Sequence, residues 1–276
     1  MIEPTLMDYL PLWGLFLAIL AVVLAAAESG YRVGRYRGRK SASEKEAPVG
    51  AIVGTTLGLL AFMLAFTFGL AASRFDSRRE LFQEEVNAVG TTYLRASFLP
   101  DEQGPKVRAL LREYVDVRLS PLQPNVQIGE VIRKSEELHV KLWKEAVLAG
   151  HKKDTEMVSL FVDSLNQLID VHAKRVTAGV RARIPTIIWL ALYLLTVLAM
   201  SSMGYHAGLT GTARSIAGLG LILSFVVVML LIADLDRPLE GVLRVNPQGM
   251  IDLRERMNSE TPDFASKNKA SQVACL

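Results

Sequence analysis

Three observations predict an all-α chain, a polytopic membrane protein with four transmembrane helices and an inserted four-helix bundle. Four apolar runs reach the length of about 20 residues that a spanning helix needs. A polar stretch of domain size separates the second run from the third and repeats its apolar residues at helical spacing. Composition supplies the third observation: 50% of the 276 residues are hydrophobic and 21% are charged, too oily for an ordinary soluble domain and too charged for a chain wholly in lipid.

The N-terminal segment, residues 1–73, reads as a transmembrane hairpin with spans at 10–27 and 49–72, neither containing Asp, Glu, Lys or Arg. Tyr9 and Trp13 stand at the start of the first span, as interfacial anchors do. No basic region precedes that run, so it is expected to stay as an anchor rather than leave as a signal peptide. From Gly58 to Arg95 there is no proline and no cluster of turn formers, so one helix is expected to leave the membrane and continue into water.

Residues 74–183 are expected to form the extramembrane bundle. Phe75, Phe82, Val86, Val89 and Tyr93 are spaced 7, 4, 3, 4, a heptad seam. Val107, Leu110, Leu111, Tyr114 and Val115 make a second stripe; Ile128, Val131, Leu138, Leu142 and Ala149 a third. Val158, Phe161, Leu165, Leu168 and Val176 make a fourth, expected to run on into the third span. Such stripes bury themselves most economically against each other. The C-terminal hairpin, residues 184–233, has spans at 184–205 and 215–233, with Pro185 in a first turn where its missing N–H is harmless. Residues 234–276 allow one short amphipathic helix near Met250, then a polar tail expected to be disordered from Thr261.

Little in the chain suggests catalysis, and no cofactor is expected. There is no G-x-S-x-G, P-loop, H-E-x-x-H or dinucleotide fingerprint. Glu136 and His139 form an E-x-x-H pair, but no other histidine has an acid three residues before it, so a di-iron type of site is not expected and neither is any other metal. The single cysteine, Cys275, excludes an intrachain disulfide, and as the second residue from the end it does not fit a prenylation signal. The formal charge of +3 comes from clusters beside apolar runs, which suits lipid headgroups; interleaved acids and the lack of an aromatic platform argue against nucleic acid.

The second span is the most informative. Gly50, Gly54, Gly58, Ala61, Ala65 and Gly69 keep one face small from end to end, and such a face lets another backbone approach closely in lipid. The partner is a helix of the same chain or of a second copy; a wall lining a pore is the other reading. Phe62 and Phe66, one turn apart, form either a lipid-facing ridge or, repeated round an oligomer, an apolar constriction. Thr55, Thr56, Thr67 and Thr196 offer hydroxyls, which in membrane helices bond their own backbone most often. Arg74 and Arg78 have no acid three or four residues away, and Asp234 and Asp236 after the fourth span are their natural partners, with headgroups the alternative.

At "EEVNAVGTTYLR", "RALLREYVDVRL" and "ADLDRPLEGVLRV" the sequence resembles a bacterial membrane family catalogued as bestrophin-like, and the motif around Glu85, Asn87 and Arg95 is the most specific part of the resemblance. The resemblance implies two membrane helices, a helical domain and two more membrane helices, in a family akin to oligomeric anion channels whose second span lines the pore. Two functions are therefore expected: first, an oligomeric sensor or scaffold whose bundle is coupled to its spans through the unbroken helix; alternatively, a bestrophin-like anion channel. Six cations between Arg32 and Lys45 place that short loop in the cytoplasm and the bundle outside, in a multi-pass protein of the bacterial inner membrane. Cations flanking the bundle and the bestrophin layout point the other way.

Overall fold

A computed structural model describes residues 11–40, 46–122, 126–152, 155–181, 183–211, 216–237 and 241–259. Tyr9, Lys45, Cys275 and the tail from Thr261 lie outside the described residues. Among the described residues eight α-helices follow one another: α1 (Leu12–Lys40), α2 (Glu46–Arg95), α3 (Gln103–Leu119), α4 (Ile128–Lys152), α5 (Glu156–Val176), α6 (Thr186–Leu209), α7 (Ile216–Asp236) and α8 (Gln248–Ser259). No strand occurs among the described residues. The chain divides into two compact units, Met1–Asp76 with Val180–Arg244 and Ser77–Gly179 with Val245–Leu276. Among the described residues four helices, α1, α2, α6 and α7, are long and apolar enough to cross a membrane.

The first unit holds α1, α6, α7 and α2 as far as Asp76. Its core is built from Leu15, Ile19 and Val23 of α1, Leu60 and Leu64 of α2, Leu192 and Met200 of α6, and Val226, Met229 and Ile232 of α7. The tightest pairing is α1 against α6, and glycine sets it. A Cβ on Gly30 or Gly34 would stand 2.0 or 2.1 Å from the carbonyl oxygens of Ser201 and Tyr205, and one on Gly204 or Gly208 would stand 2.0 or 2.3 Å from those of Ala27 and Tyr31. The contacts advance together along both chains, so the two helices run parallel with small residues every fourth position on each side. The close-packing role expected of α2 thus falls, within this chain, to α1 and α6. The α1 repeat begins where arginines begin, and α1 runs on to Lys40, well past the expected end of the span.

The second unit packs α3, α4, α5 and α8 with the later part of α2. Phe161, Leu165 and Leu168 of α5, Leu138 and Leu142 of α4, Leu111 and Tyr114 of α3, Val86 and Val89 of α2, and Met250, Leu253 and Met257 of α8 form one core. The expected helix near Met250 is therefore a further wall of the bundle. Thr155 caps α5, its hydroxyl accepting from the Val158 amide at 3.4 Å. Helix α2 is continuous over 50 residues. The fourth bundle helix is not continuous with the third span as expected: α5 gives way to a five-residue π-helix at Thr177–Arg181, and α6 starts only at Thr186 after Pro185, which is extended at φ −54° and ψ 137°. Proline lacks the amide that would continue the helix and pushes the residue before it out of the α region.

Candidate functional site

Each unit carries one candidate region. In the first, α2 buries Val53, Leu60, Leu64, Thr67 and Ala71, spaced 7, 4, 3, 4, and turns its other face outward. On that outer face a Cβ at Gly54, Gly58 or Gly69 would meet nothing within 4 Å, and at Gly50 only the His206 side chain. Ala61 and Ala65 are exposed beside them. Phe62 and Phe66 are 67% and 64% exposed, both on this face. Thr55, Thr56, Thr67 and Thr196 donate to the carbonyls four residues back, Ala51, Ile52, Met63 and Leu192, so these hydroxyls serve the backbone.

At the boundary the structure brings Arg74 to Asp236, Nη1 to Oδ1, at 3.9 Å, and Asp236 also accepts from the Ile184 amide at 2.9 Å. Asp234 takes another role. Its carboxylate accepts from the backbone amides of Val242 and Leu243 at 2.9 and 3.0 Å, folding the chain back after α7, and Gly241 lies so close that a Cβ there would be 2.3 Å from Oδ1. Arg78 is buried and belongs to the second unit.

In the second unit Glu85 of α2 is wholly buried at the centre of a polar cluster. Arg175 of α5 pairs with Oε2. Arg118 of α3 brings Nε to 3.1 Å from Oε1 and donates from Nη2 to Oε2 at 3.4 Å. The Tyr114 hydroxyl donates to Oε1 at 2.6 Å. A buried carboxylate requires such partners, because an unpaired one would cost several kcal/mol. Beyond Tyr114, the His172 Nδ1 lies 3.3 Å from the hydroxyl oxygen, and the His139 ring meets the His172 ring edge to face at 4.8 Å between centroids.

Burial holds the Tyr114 hydroxyl protonated, its pKa pushed up to about 12. Burial also lowers His139 to about 3, helped by His172 and Arg118, and lowers His172 to about 4, helped by Arg118 against the opposing pull of Glu136. Both imidazoles are therefore neutral near pH 7. Desolvation brings Arg175 down to about 10, still charged.

The family-like motif thus splits by role. Glu85 organises the cluster, whereas Asn87 is exposed and accepts from Gln83 at 3.3 Å. Arg95 donates to the Leu160 carbonyl at 2.6 Å, tying the end of α2 to α5. Arg118, His172 and Arg175 were not singled out from the sequence, and Tyr114 was read only as a core position of its stripe. Tyr114 and Arg118 lie one turn apart on α3, and His172 and Arg175 lie three apart on α5, but only the fold brings those faces to Glu85. Among the described residues no group of three or more His, Cys, Asp or Glu side chains is arranged to hold a metal ion.

The bestrophin-like domain model matches residues 15–250. This chain belongs to the bestrophin-like family. Solved structures are similar in fold to this bestrophin-like protein. A bacterial bestrophin homologue from Klebsiella pneumoniae, in a form with one substitution, superposes with a TM-score of 0.65 at 14% identity, covering 91% of this chain and 99% of that one. Another substituted form of the Klebsiella pneumoniae homologue gives 0.66 at 14% identity over 88% and 97%. A structure described as a membrane protein gives 0.64 at 15% identity over 91% and 99%. No curated protein matches the sequence. The Glu85 cluster and the outward face of α2 both lie within the matched residues.

Proposed function

We propose that this bestrophin-like protein is a homo-oligomeric ion channel of the bacterial inner membrane, selective for anions, with α2 lining the pore and Phe62 and Phe66 forming its apolar constriction. The observation that carries the proposal is the outward face of α2, which combines open space beside Gly54, Gly58 and Gly69 with two exposed phenylalanines one turn apart. Lipid tails do not require a face of glycine and alanine; a second backbone does. Placed around an axis, that face gives close contacts between copies, and the two rings narrow the lumen to a point where water is easily expelled. Membership of the family supports the same reading, since bestrophins are anion channels.

No acidic or basic side chain lies on α2 between Val49 and Ser73, so permeation would be governed by backbone, hydroxyl and aromatic surfaces rather than by a charged ring. Recording from the purified full chain in planar bilayers tests the proposal. Discrete conductance whose reversal potential follows the chloride gradient is expected, and a silent bilayer with protein present in several salts would overturn it.

The second reading, a sensor or scaffold, is favoured by one feature, the unbroken course of α2 from Glu46 to Arg95. It requires that a change in bundle packing reach the membrane segment of that helix. Arg79→Pro, which breaks α2 near the boundary, would abolish signalling in the cell on this reading even if the bilayers stay silent.

A further inference from the structure

Helix α1 has two unlike sides where it leaves its apolar run. Gly30, Gly34 and Gly38 face α6, and a Cβ on Gly38 would stand 3.4 Å from the Leu209 carbonyl oxygen. At 3.6 residues per turn, Arg32, Arg35 and Arg39 fall on the opposite side, and all three are exposed. Tyr36, 60% exposed, lies among them.

These arginines continue a ridge that begins deeper in the helix. Leu17, Ala21 and Leu24 are exposed on the same side, and steps of three and four residues carry it through Glu28 to the arginines. The ridge therefore offers apolar surface first and guanidinium groups after it, the order in which a lipid presents its acyl chains and its phosphate.

Helix register places the change at the membrane surface. A Cβ on Gly208 would stand 2.7 Å from the Arg35 amide nitrogen, so Arg35 is level with the last turn of α6. In that turn His206 reaches α2, its Nε2 lying 3.2 Å from where a Cβ on Gly50 would be. Gly50 is one turn past Glu46, the last charge before the second apolar run. Three helices thus change from apolar to polar at one level, and Arg35 stands on it.

The charge of the ridge is unbalanced. Arg32 donates from Nε to Glu28 Oε1 at 2.9 Å. No acid lies three or four residues from Arg35 or Arg39, and among the described residues neither forms an ion pair.

We infer that this ridge of α1 binds an anionic diacyl phospholipid, with acyl chains along Leu17, Ala21 and Leu24 and the phosphate between Arg35 and Arg39. A guanidinium meets phosphate through two parallel N–H donors, and two arginines one turn apart can share a single headgroup. An anionic headgroup offsets the excess of cations, and a zwitterionic one does not. A water-soluble acidic partner would match the arginines and leave the apolar part of the ridge unused. The site is independent of whether the protein conducts ions.

Native mass spectrometry of the full chain in detergent, with equal amounts of phosphatidylglycerol and phosphatidylcholine added, tests this. Preferential retention of phosphatidylglycerol is expected, falling about fivefold for each of Arg35→Gln and Arg39→Gln, the scale of one cation at an anionic lipid surface. Both residues are exposed on the side of α1 away from α6, so the substitutions leave the fold intact. Arg133→Gln, at an exposed arginine of α4 paired with Glu137, should leave retention unchanged. Millimolar inorganic phosphate should not displace the lipid, because it offers nothing to the apolar part of the ridge. Equal retention of the two lipids, unchanged retention when Arg35→Gln and Arg39→Gln are combined, or displacement by phosphate would overturn the inference.

Discussion

Replacing Glu85 by Gln removes one negative charge from the centre of the second unit while keeping the side chain's shape. Glu85 is 0% exposed, and its carboxylate faces two guanidinium groups and one hydroxyl. The Arg118 and Arg175 side chains are themselves only 11% and 23% exposed, so neither recovers full hydration when its partner becomes neutral. Removing one member of a buried ion pair costs about 3–5 kcal/mol, because the remaining charge stays in a poorly solvated place.

For a domain of about 100 residues each kcal/mol moves the midpoint by roughly 4–8 °C, so a fall of at least about 10 °C is expected in scanning calorimetry of the full chain in detergent. Glu85→Leu should fall further, since it also loses the acceptor for Tyr114. Glu102→Gln, an exposed acid beside Lys106 and Lys152, should show no resolvable shift. A midpoint for Glu85→Gln as high as that of Glu102→Gln would mean that Glu85 does not hold the bundle together.

Three further outcomes follow from particular contacts. Gly204→Leu places side-chain carbon where the Ala27 carbonyl lies 2.0 Å from Cβ and should lower folded yield and detergent stability sharply, whereas Gly54→Leu meets open space and should leave the monomer intact while weakening self-association, checked by light scattering. Phe161→Ala, at a position with no exposed surface in the bundle core, should cost about 3–5 kcal/mol by calorimetry. The second unit should lose stability as pH falls from about 6.5. His139 and His172 have folded pKa values near 3 and 4, below the unfolded value, so the unfolded chain takes up protons first and the loss runs down toward pH 4 at up to about 2.7 kcal/mol per pH unit for two groups. His139→Gln with His172→Gln should flatten that slope.

The spans were legible in the sequence because lipid imposes one rule on each, some 20 residues without charge, and residues such as Ser215 and Ala233 bracket that rule plainly. The bundle seams were legible for the same reason that amphipathic helices are: Phe161, Leu165 and Leu168 can go nowhere but a core. Small-residue periodicity was less decisive. It says that a backbone can come close and not which one, and the glycines of α1 at Gly30 and Gly34 lie beside the arginines that mark the end of the apolar run. The break before α6 was foreshadowed by Pro185, which cannot continue a helix arriving from α5.

Glu85 was reached through its motif, but its partners were not. Helical spacing reports neighbours on one helix, and Tyr114, His139 and His172 stand on three different helices. The E-x-x-H pair at Glu136 and His139 was set aside because no second pair matched it in sequence. The fold places the His139 ring against His172 of α5, a neighbour that no spacing on α4 could reveal.

Covalent modification at Phe66 tests the channel most directly. In a Cys275→Ser background, Phe66→Cys protein recorded in planar bilayers should change its current when a charged, water-borne methanethiosulfonate reagent is added, as the proposed pore-lining position of this residue requires. The same reagent should leave the parent current unaltered. A Phe66→Cys current that is unaffected after labelling of the thiol is verified by mass would place that face of α2 away from the path and contradict a pore lined by this helix.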